Sequence, residues 1–517
     1  MNILGISAFH HHNAACLVQD GTIISAVPEE RFTRKKHDTS FPKNAIRYCL
    51  HNSGLKEKDL DFVVFYEKPL LKFVRLQETY LACAPLGIRS FMEAIPRWIK
   101  ERLWINDLIS EEIEFEGKIL FIENHQAHAA SVFFSSSFQE AAFLTVSDVG
   151  ESATASLGVG KDNNIRIYEE IHFPHSLGLL YSAFAYYVGF KVDSDDHKMR
   201  ELTPNGEPKY KDLILSELMD LKEDGSFKLN MKYFDYGAGL IMTNKRFAKL
   251  FDGSARQGGA AITQRERDLA RSVQEATEEV ILRMARHVHK KTGCKNLCLA
   301  GGAALNCVGN GKILREGPFE NVWMPPAAWN AGEALGAALL VWYQYLGNKR
   351  LAGEKKDFME LNDSGIDEYM TKSNMPLTPP KNEEIKDVKI ERKDLRKFGL
   401  TFGIVLGVWG GLFLWRGRDY YFCFFILSAL FLFFGLTLPF LLKPVYRGWM
   451  ALTRLLGRLM AKTTLGILFY LAFTPIGLLG RLCGKDFLNL KLSTGAESYW
   501  IPKVEMEVEK NRYERQF

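Results

Sequence analysis

Histidines in two places supply the first candidates for chemistry. His10, His11 and His12 follow the apolar run that opens the chain, and His125 and His128 stand three residues apart, beside Asn124. Two histidines at i and i+3 share a helix face and can hold a divalent cation. Without a carboxylate in view, the pair also reads as a structural or surface feature.

Three glycine turns add a second kind of candidate. They are Asp148-Val149-Gly150-Glu151, Ala300-Gly301-Gly302-Ala303-Ala304-Leu305-Asn306, and Ala331-Gly332-Glu333-Ala334-Leu335-Gly336. Glycine lets backbone N–H groups approach a phosphate, and a helix N-terminus adds partial positive charge. Each turn alone also fits tight packing. Three in one chain point to a nucleotide site between two halves.

Short apolar strands and interleaved helices must position these groups. Ile3–Phe9, Ala14–Gln19 and Ile23–Val27 read as an opening meander, followed by strands over Phe62–Tyr66, Ile119–Ile122 and Ala142–Val146. Helical patterns cover Pro42–Ser53 and one long stretch from Leu76 to Trp104. Strands at Ala153–Val159 and Ile165–His172, an amphipathic helix over Asp268–Lys291 and a buried strand at Leu297–Ala300 repeat the style. The expectation is an α/β domain over residues 1–350 made of two related halves.

Residues 351–395 are polar, carry Pro376, Pro379 and Pro380, and read as a linker. After Lys397 the composition changes abruptly to apolar runs, and 396–517 is read as a membrane domain. Residues 398–415 and 420–442 carry no charge and are long enough for a ~30 Å hydrocarbon core; 463–479, interrupted by Pro475, spans or dips in and returns. Lys389, Arg392, Lys393, Arg396 and Lys397 before the first run, and Lys443, Arg447, Arg454, Arg458 and Lys462 after the second, place both flanks in the cytoplasm. Arg447, Arg454 and Arg458 share one face of an amphipathic helix suited to anionic lipid. The expected location is the inner membrane, with the large domain cytoplasmic.

Composition narrows the class. The 517 residues are 47% hydrophobic and 25% charged, as in globular chains, and the net charge of +5 gives no case for nucleic-acid binding. The eight cysteines form no CxxC pair, so reduced thiols are expected; the opening residues lack the layout of a signal peptide.

Several motifs together carry a resemblance. Ile6-Ser7-Ala8-Phe9, Ala14-Ala15-Cys16-Leu17-Val18, the run Glu29 to Asp38, Phe41-Pro42, the run Pro174 to Tyr181, Ile262-Thr263-Gln264-Arg265 and Ala300 to Asn306 resemble the NodU/CmcH carbamoyltransferase family, over residues 1 to about 386. The resemblance implies an actin-like ATPase fold, with two ribonuclease-H-like halves around a nucleotide cleft. It also implies use of ATP and carbamoyl phosphate, by way of carbamoyl-adenylate, to carbamoylate a hydroxyl. Phe398 to Phe402, Thr474 to Gly477, Gly484-Lys485-Asp486, Ser498 to Pro502 and Gln516-Phe517 are similar to small SxtJ-type membrane proteins.

Carried over by resemblance, His11 and Lys198 stand near the transferring group. Asp148, Gly150, Glu151, Gly301, Gly302, Asn306, Gly332 and Glu333 line the nucleotide cleft, and His125 and His128 hold an iron or magnesium ion. The chain departs from the family in four motifs. His10-His11-His12-Asn13 replaces Tyr-His-Asp-Ser, and Asn124 begins what is usually His-x-x-x-His. Trp329-Asn330-Ala331-Gly332-Glu333 replaces Gly-Asp-Ala-Gly-Gly, and the phosphate-loop aspartate is displaced by one to Asp148. An amide binds a divalent cation less well than a carboxylate. The family's YrdC-like domain, which makes carbamoyl-adenylate, is replaced by the apolar tail. Two readings follow: a membrane-tethered carbamoyltransferase served by a separate YrdC-like partner, or an impaired relative acting as a scaffold or nucleotide-binding subunit.

Overall fold

The computed structural model describes residues 1–9, 13–192, 196–302, 306–324, 331–350, 366, 369–370, 392–493, 495–504 and 510–517. His11, Trp329, Asn330 and most of the linker lie outside the described residues. Two compact units form: Met1–Pro379 with Phe469–Phe517, and Pro380–Leu468. The segment 469–517, which the sequence reading places in the membrane domain, therefore folds with the first unit.

That unit is built on two sheets with one plan. In the first, β1 (Asn2–Ser7), β2 (Ala14–Gln19), β3 (Thr22–Pro28), β4 (Phe62–Phe65) and β5 (Lys118–Phe121) lie in the order β3-β2-β1-β4-β5. β1 is antiparallel to β2 and parallel to β4. In the second, β6 (Glu140–Val146), β7 (Ala153–Lys161) and β8 (Asn164–His172) form the meander, while β11 (Asn296–Ala300) and β12 (Asn321–Trp323) join in parallel beside β6. The order β12-β11-β6-β7-β8 is the first sheet's order repeated. Between the halves of the second sheet, β9 (Met219–Leu221) and β10 (Phe227–Leu229) make a separate hairpin. The unit thus has the expected duplicated ribonuclease-H-like α/β architecture.

Burial on both faces explains the strands. β1 and β2 are buried on both faces and read as continuous apolar runs, as parallel-type interior strands do. Apart from Glu333, the helix Gly332–Leu340 is all small or apolar because it is wedged between β1 and the helix Asn124–Phe133. A Cβ on Gly5 would stand 1.9 Å from the Ala334 carbonyl oxygen, and one on Gly336 1.8 Å from that of Ala127.

One expectation needs correction. Leu76–Trp104 is not one helix but parts of two, Pro69–Cys83 and Ile88–Lys100, separated by a turn in which Gly87 has φ +94°. Pro85 cannot continue the first helix, and Gly87 takes the left-handed conformation that begins the next.

In the second unit, the helices Arg392–Trp415 and Tyr421–Thr437 pack antiparallel through Gly399 and Gly435, and Ser428 Oγ donates to Gly403 O at 2.6 Å. Residues 439–482 are helical throughout, but the α-helix Lys443–Leu468 gives way to a π-helical turn, Phe469–Phe473, just before Pro475, which sits in the first turn of Thr474–Leu482. Arg392–Trp415 and Pro439–Leu482 are long and apolar enough to cross a membrane; Tyr421–Thr437 is a shorter apolar helix.

Candidate functional site

The carboxyl ends of the parallel strands bring the candidate residues together. The loop after β5 opens the helix Asn124–Phe133, and the loop after β6 is Ser147 to Gly150. A Cβ on Gly150 would meet Asn124 Oδ1 and His125 Cδ2 at 3.1 Å. Gly301, at the end of β11 with φ +81°, lies against the last residue of β6: a Cβ there would stand 2.3 Å from Val146 O. Around Gly302 no atom lies within 4 Å of such a Cβ. Glycine is therefore sterically required at 301 but not at 302.

Glu333 is the centre of the cluster. Asn124 Nδ2 donates to its Oε1 at 3.1 Å, and His128 Nε2 lies 3.4 Å from the same oxygen. Its Oε2 is buried and accepts no hydrogen bond among the described residues. Burial, reinforced by nearby Glu67 and offset by Asn124, pushes its carboxyl up to about 7. A carboxyl titrating near neutrality beside an imidazole can take up or release a proton.

Glu151 has a different task. It accepts from the backbone N of Lys68 at 2.9 Å and from that of Asn124 at 3.0 Å, so it caps the helix that carries Asn124 and His128. Burial, with Glu123 and Glu67 close by, raises it to about 7. Glu29, in the Glu29-Glu30-Arg31 motif, does the same for the helix Lys43–Ser53, accepting from Ala45 N at 2.8 Å.

His125 is set apart from an ion-binding role. Its Nδ1 lies 2.7 Å from Thr145 Oγ1 and 2.8 Å from Ser156 Oγ, and its Nε2 3.0 Å from Ser147 Oγ. Burial holds its ring down to about 3, so it is neutral. Among the described residues no three His, Cys, Asp or Glu side chains gather as a metal site. The His125–His128 pair does not fit a shared ion, because both nitrogens of His125 are committed to hydroxyls.

Most of the other expected residues have local packing or capping contacts. Asn306 exchanges two hydrogen bonds with Gln274, at 2.8 and 3.0 Å, and caps the helix Cys307–Glu316 through Gly309 N. Gly332 is buried at the start of its helix. Asp148 lies against Gly178, where a Cβ would meet its Oδ1 at 2.1 Å, which explains the glycine of the Pro174–Tyr181 motif. Lys198 is exposed on the helix Asp196–Leu202.

A family model described as carbamoyltransferase N-terminus matches residues 2–339. The chain belongs to this carbamoyltransferase family. A second model, saxitoxin biosynthesis operon protein SxtJ, matches residues 393–489. The uncharacterized protein sll1178 of Synechocystis is 55% identical over 366 residues, covering 69% of this chain and 59% of that protein. Nodulation protein NolNO of Sinorhizobium fredii is 32% identical over 339 residues, 65% of this chain and 47% of that protein. Among solved structures, HypF of T. kodakarensis aligns with 67% of this chain and 48% of its own, at 14% identity and a TM-score of 0.35. This carbamoyltransferase-family chain thus spans only 59% and 47% of the two curated relatives.

The carbamoyltransferase part also holds a buried charge cluster that residue spacing did not suggest. Lys72 Nζ pairs with Glu67 Oε2 at 2.6 Å, and Lys68, Glu123 and Glu151 stand beside them. Burial lowers Lys68 to about 8. The signal was available: Glu67-Lys68 directly follows an apolar strand, at the sheet end where such folds place ligand contacts.

Proposed function

We propose that this chain is a membrane-tethered carbamoyltransferase that moves a carbamoyl group from carbamoyl-adenylate to a hydroxyl of a glycan or secondary metabolite. The family match over residues 2–339 carries the reading. The loops after β6 and β11, with the open backbone at Gly302, are assigned to the adenylate phosphate, supported by their position at the ends of parallel strands. Asp148 and Gly150 belong to the same loop set. Glu333, near neutral and hydrogen-bonded to Asn124, is assigned the proton that the acceptor hydroxyl releases as its oxygen bonds to the carbamoyl carbon. The carbamoyl–phosphate bond breaks in that step, and AMP leaves with the electron pair. His128 shares that proton position at 3.4 Å. His11 and Lys198 remain assigned near the transferring group by resemblance. No step is routed through a metal.

The membrane reading is supported by the two long apolar helices and the SxtJ match, with the basic flanks favouring a cytoplasmic transferase. A separate YrdC-like partner supplies carbamoyl-adenylate in this reading. The test is a transfer assay on the full chain in detergent, given ATP, carbamoyl phosphate and a ferrous or magnesium salt. It is run with and without an added YrdC-like domain, and carbamoyl-AMP is followed by mass spectrometry. Turnover only with that domain is expected; neither turnover nor nucleotide binding in either case would sink it.

One observation favours a second reading, a nucleotide-binding scaffold: Asn124 stands where the family carries a histidine and is tied to Glu333. A thermal shift with ATP but no transfer would select it.

A further inference from the structure

Segment 495–517 follows the SxtJ-matched residues and lies in the same compact unit as the carbamoyltransferase part. Its β13 (Ile501–Pro502) adds antiparallel to the outer edge of β8, with Ile501 opposite Glu170, and Lys503 N donates to Tyr168 O at 2.8 Å. An edge strand carries a row of unpaired backbone groups, and strand addition satisfies them. Trp500 stacks on His287 at 6.1 Å between ring centres.

Charge completes the fit. Lys503 Nζ lies 2.8 Å from Glu170 Oε1 and also bonds Glu123, while Arg512 Nη2 donates to Glu123 Oε1 at 2.6 Å. The side chains of Glu123 and Glu170 are only 13% and 10% exposed, and a carboxylate so enclosed needs a charged partner. Further along, Phe121 N donates to Tyr513 O at 2.6 Å, and Leu70 N to Gln516 O at 3.2 Å. Lys68 Nζ donates to the carbonyl oxygens of Arg512 and Arg515, at 2.7 and 2.8 Å. Glu123 directly precedes the helix that carries Asn124 and His128.

We propose that the outer edge of β8 with Glu123, Glu170 and Lys68 is a docking groove for a peptide that adds a short strand and presents one tryptophan, one lysine and one arginine. Its occupant is this chain's own residues 495–504 and 510–517, and docking steadies, through Glu123, the helix bearing the candidate site. The inference stands whether or not that site transfers carbamoyl groups, because it rests on the groove alone.

Zero-length carbodiimide cross-linking of the full chain in detergent tests it, using a mixture of isotopically light and heavy protein. The half-exposed pair Lys118–Glu514, 2.8 Å apart, reports docking. A cross-link within one chain supports the proposal; no cross-link, or one joining light to heavy peptides, overturns it. Hydrogen exchange of the K503E/R512E chain supplies the second measurement. Exchange over residues 121–128 is expected to rise at least ~10-fold, with Lys503→Arg close to wild type. Equal protection in all three chains overturns the coupling, and the cross-link reads independently if the double variant fails to fold.

Discussion

Glu333 Oε1 and Asn124 Nδ2 lie 3.1 Å apart, joining the starts of two helices that are 209 residues apart in the chain. The carboxyl is thereby fixed in a buried place where its charge is poorly solvated, and its proton affinity rises.

That relationship sets a pH dependence. The carboxyl titrates at about 7 in the fold against an ordinary 4.5, so between those values the folded state binds more protons than the unfolded. Its contribution is fully present below about 4.5 and is lost as pH rises through 7, by about 3 kcal/mol. Urea midpoints at pH 5 and pH 8 should therefore differ less in Glu333→Gln than in the wild type, since Glu29 and Glu151 remain in both. A transfer assay on the same variant should show at least a ~10-fold loss if Glu333 carries the proton.

His125 is expected to matter for stability. Replacing it by leucine strands the hydroxyls of Thr145, Ser147 and Ser156 without their ring partner. The cost should be about 2–4 kcal/mol by chemical denaturation. An unchanged midpoint would show that these hydroxyls find other partners.

Two glycines separate packing from binding. Gly336→Ala drives a methyl into the Ala127 carbonyl and should cost about 3 kcal/mol or more, read as a lower melting temperature or loss of soluble unit. Gly302→Ala meets open space and should fold normally. If the Gly302 backbone faces phosphate, ATP affinity in that variant should fall about tenfold in a thermal-shift titration, a difference of ~1.4 kcal/mol.

The apolar helices predict tight membrane association. After an alkaline carbonate wash the full chain should remain in the membrane pellet, because at least two of its helices have spanning length. Release into the supernatant would leave only a peripheral attachment.

Much of the α/β unit was legible because its signals are local. Apolar runs bounded by glycine and polar turns marked β1, β2 and β6 to within two residues, and β2, Ala14–Gln19, without error. The helix Gln264–Thr292 announced itself through its apolar stripe as Asp268–Lys291, and the structure adds one turn begun by a Thr263–Glu266 capping box. The break at Ala84–Gly87 was also written in the sequence, in Pro85 and Gly87, but apolar spacing on both sides hid it.

The site was less legible. His125 and His128 share a helix, so their spacing alone allowed a common ion. Only the second sheet, which brings Thr145, Ser147 and Ser156 to His125, decides that its nitrogens serve hydroxyls. Asn306 looked like a cleft residue until its pairing with Gln274, 32 residues earlier, gave it a structural task.

By itself the sequence determined where most strands and the longest amphipathic helix lie, since periodicity and turn residues act over a few positions, but the expected apolar spans 420–442 and 463–479 differ from the helices Tyr421–Thr437 and Pro439–Leu482. It also determined family membership, through motifs that are each continuous in sequence. The tertiary structure alone decided which charges are buried together and who neutralises them. Glu123 meets Lys503 and Arg512 from nearly 400 residues away, and such pairings follow from the meeting of sheet edges, which no local pattern encodes.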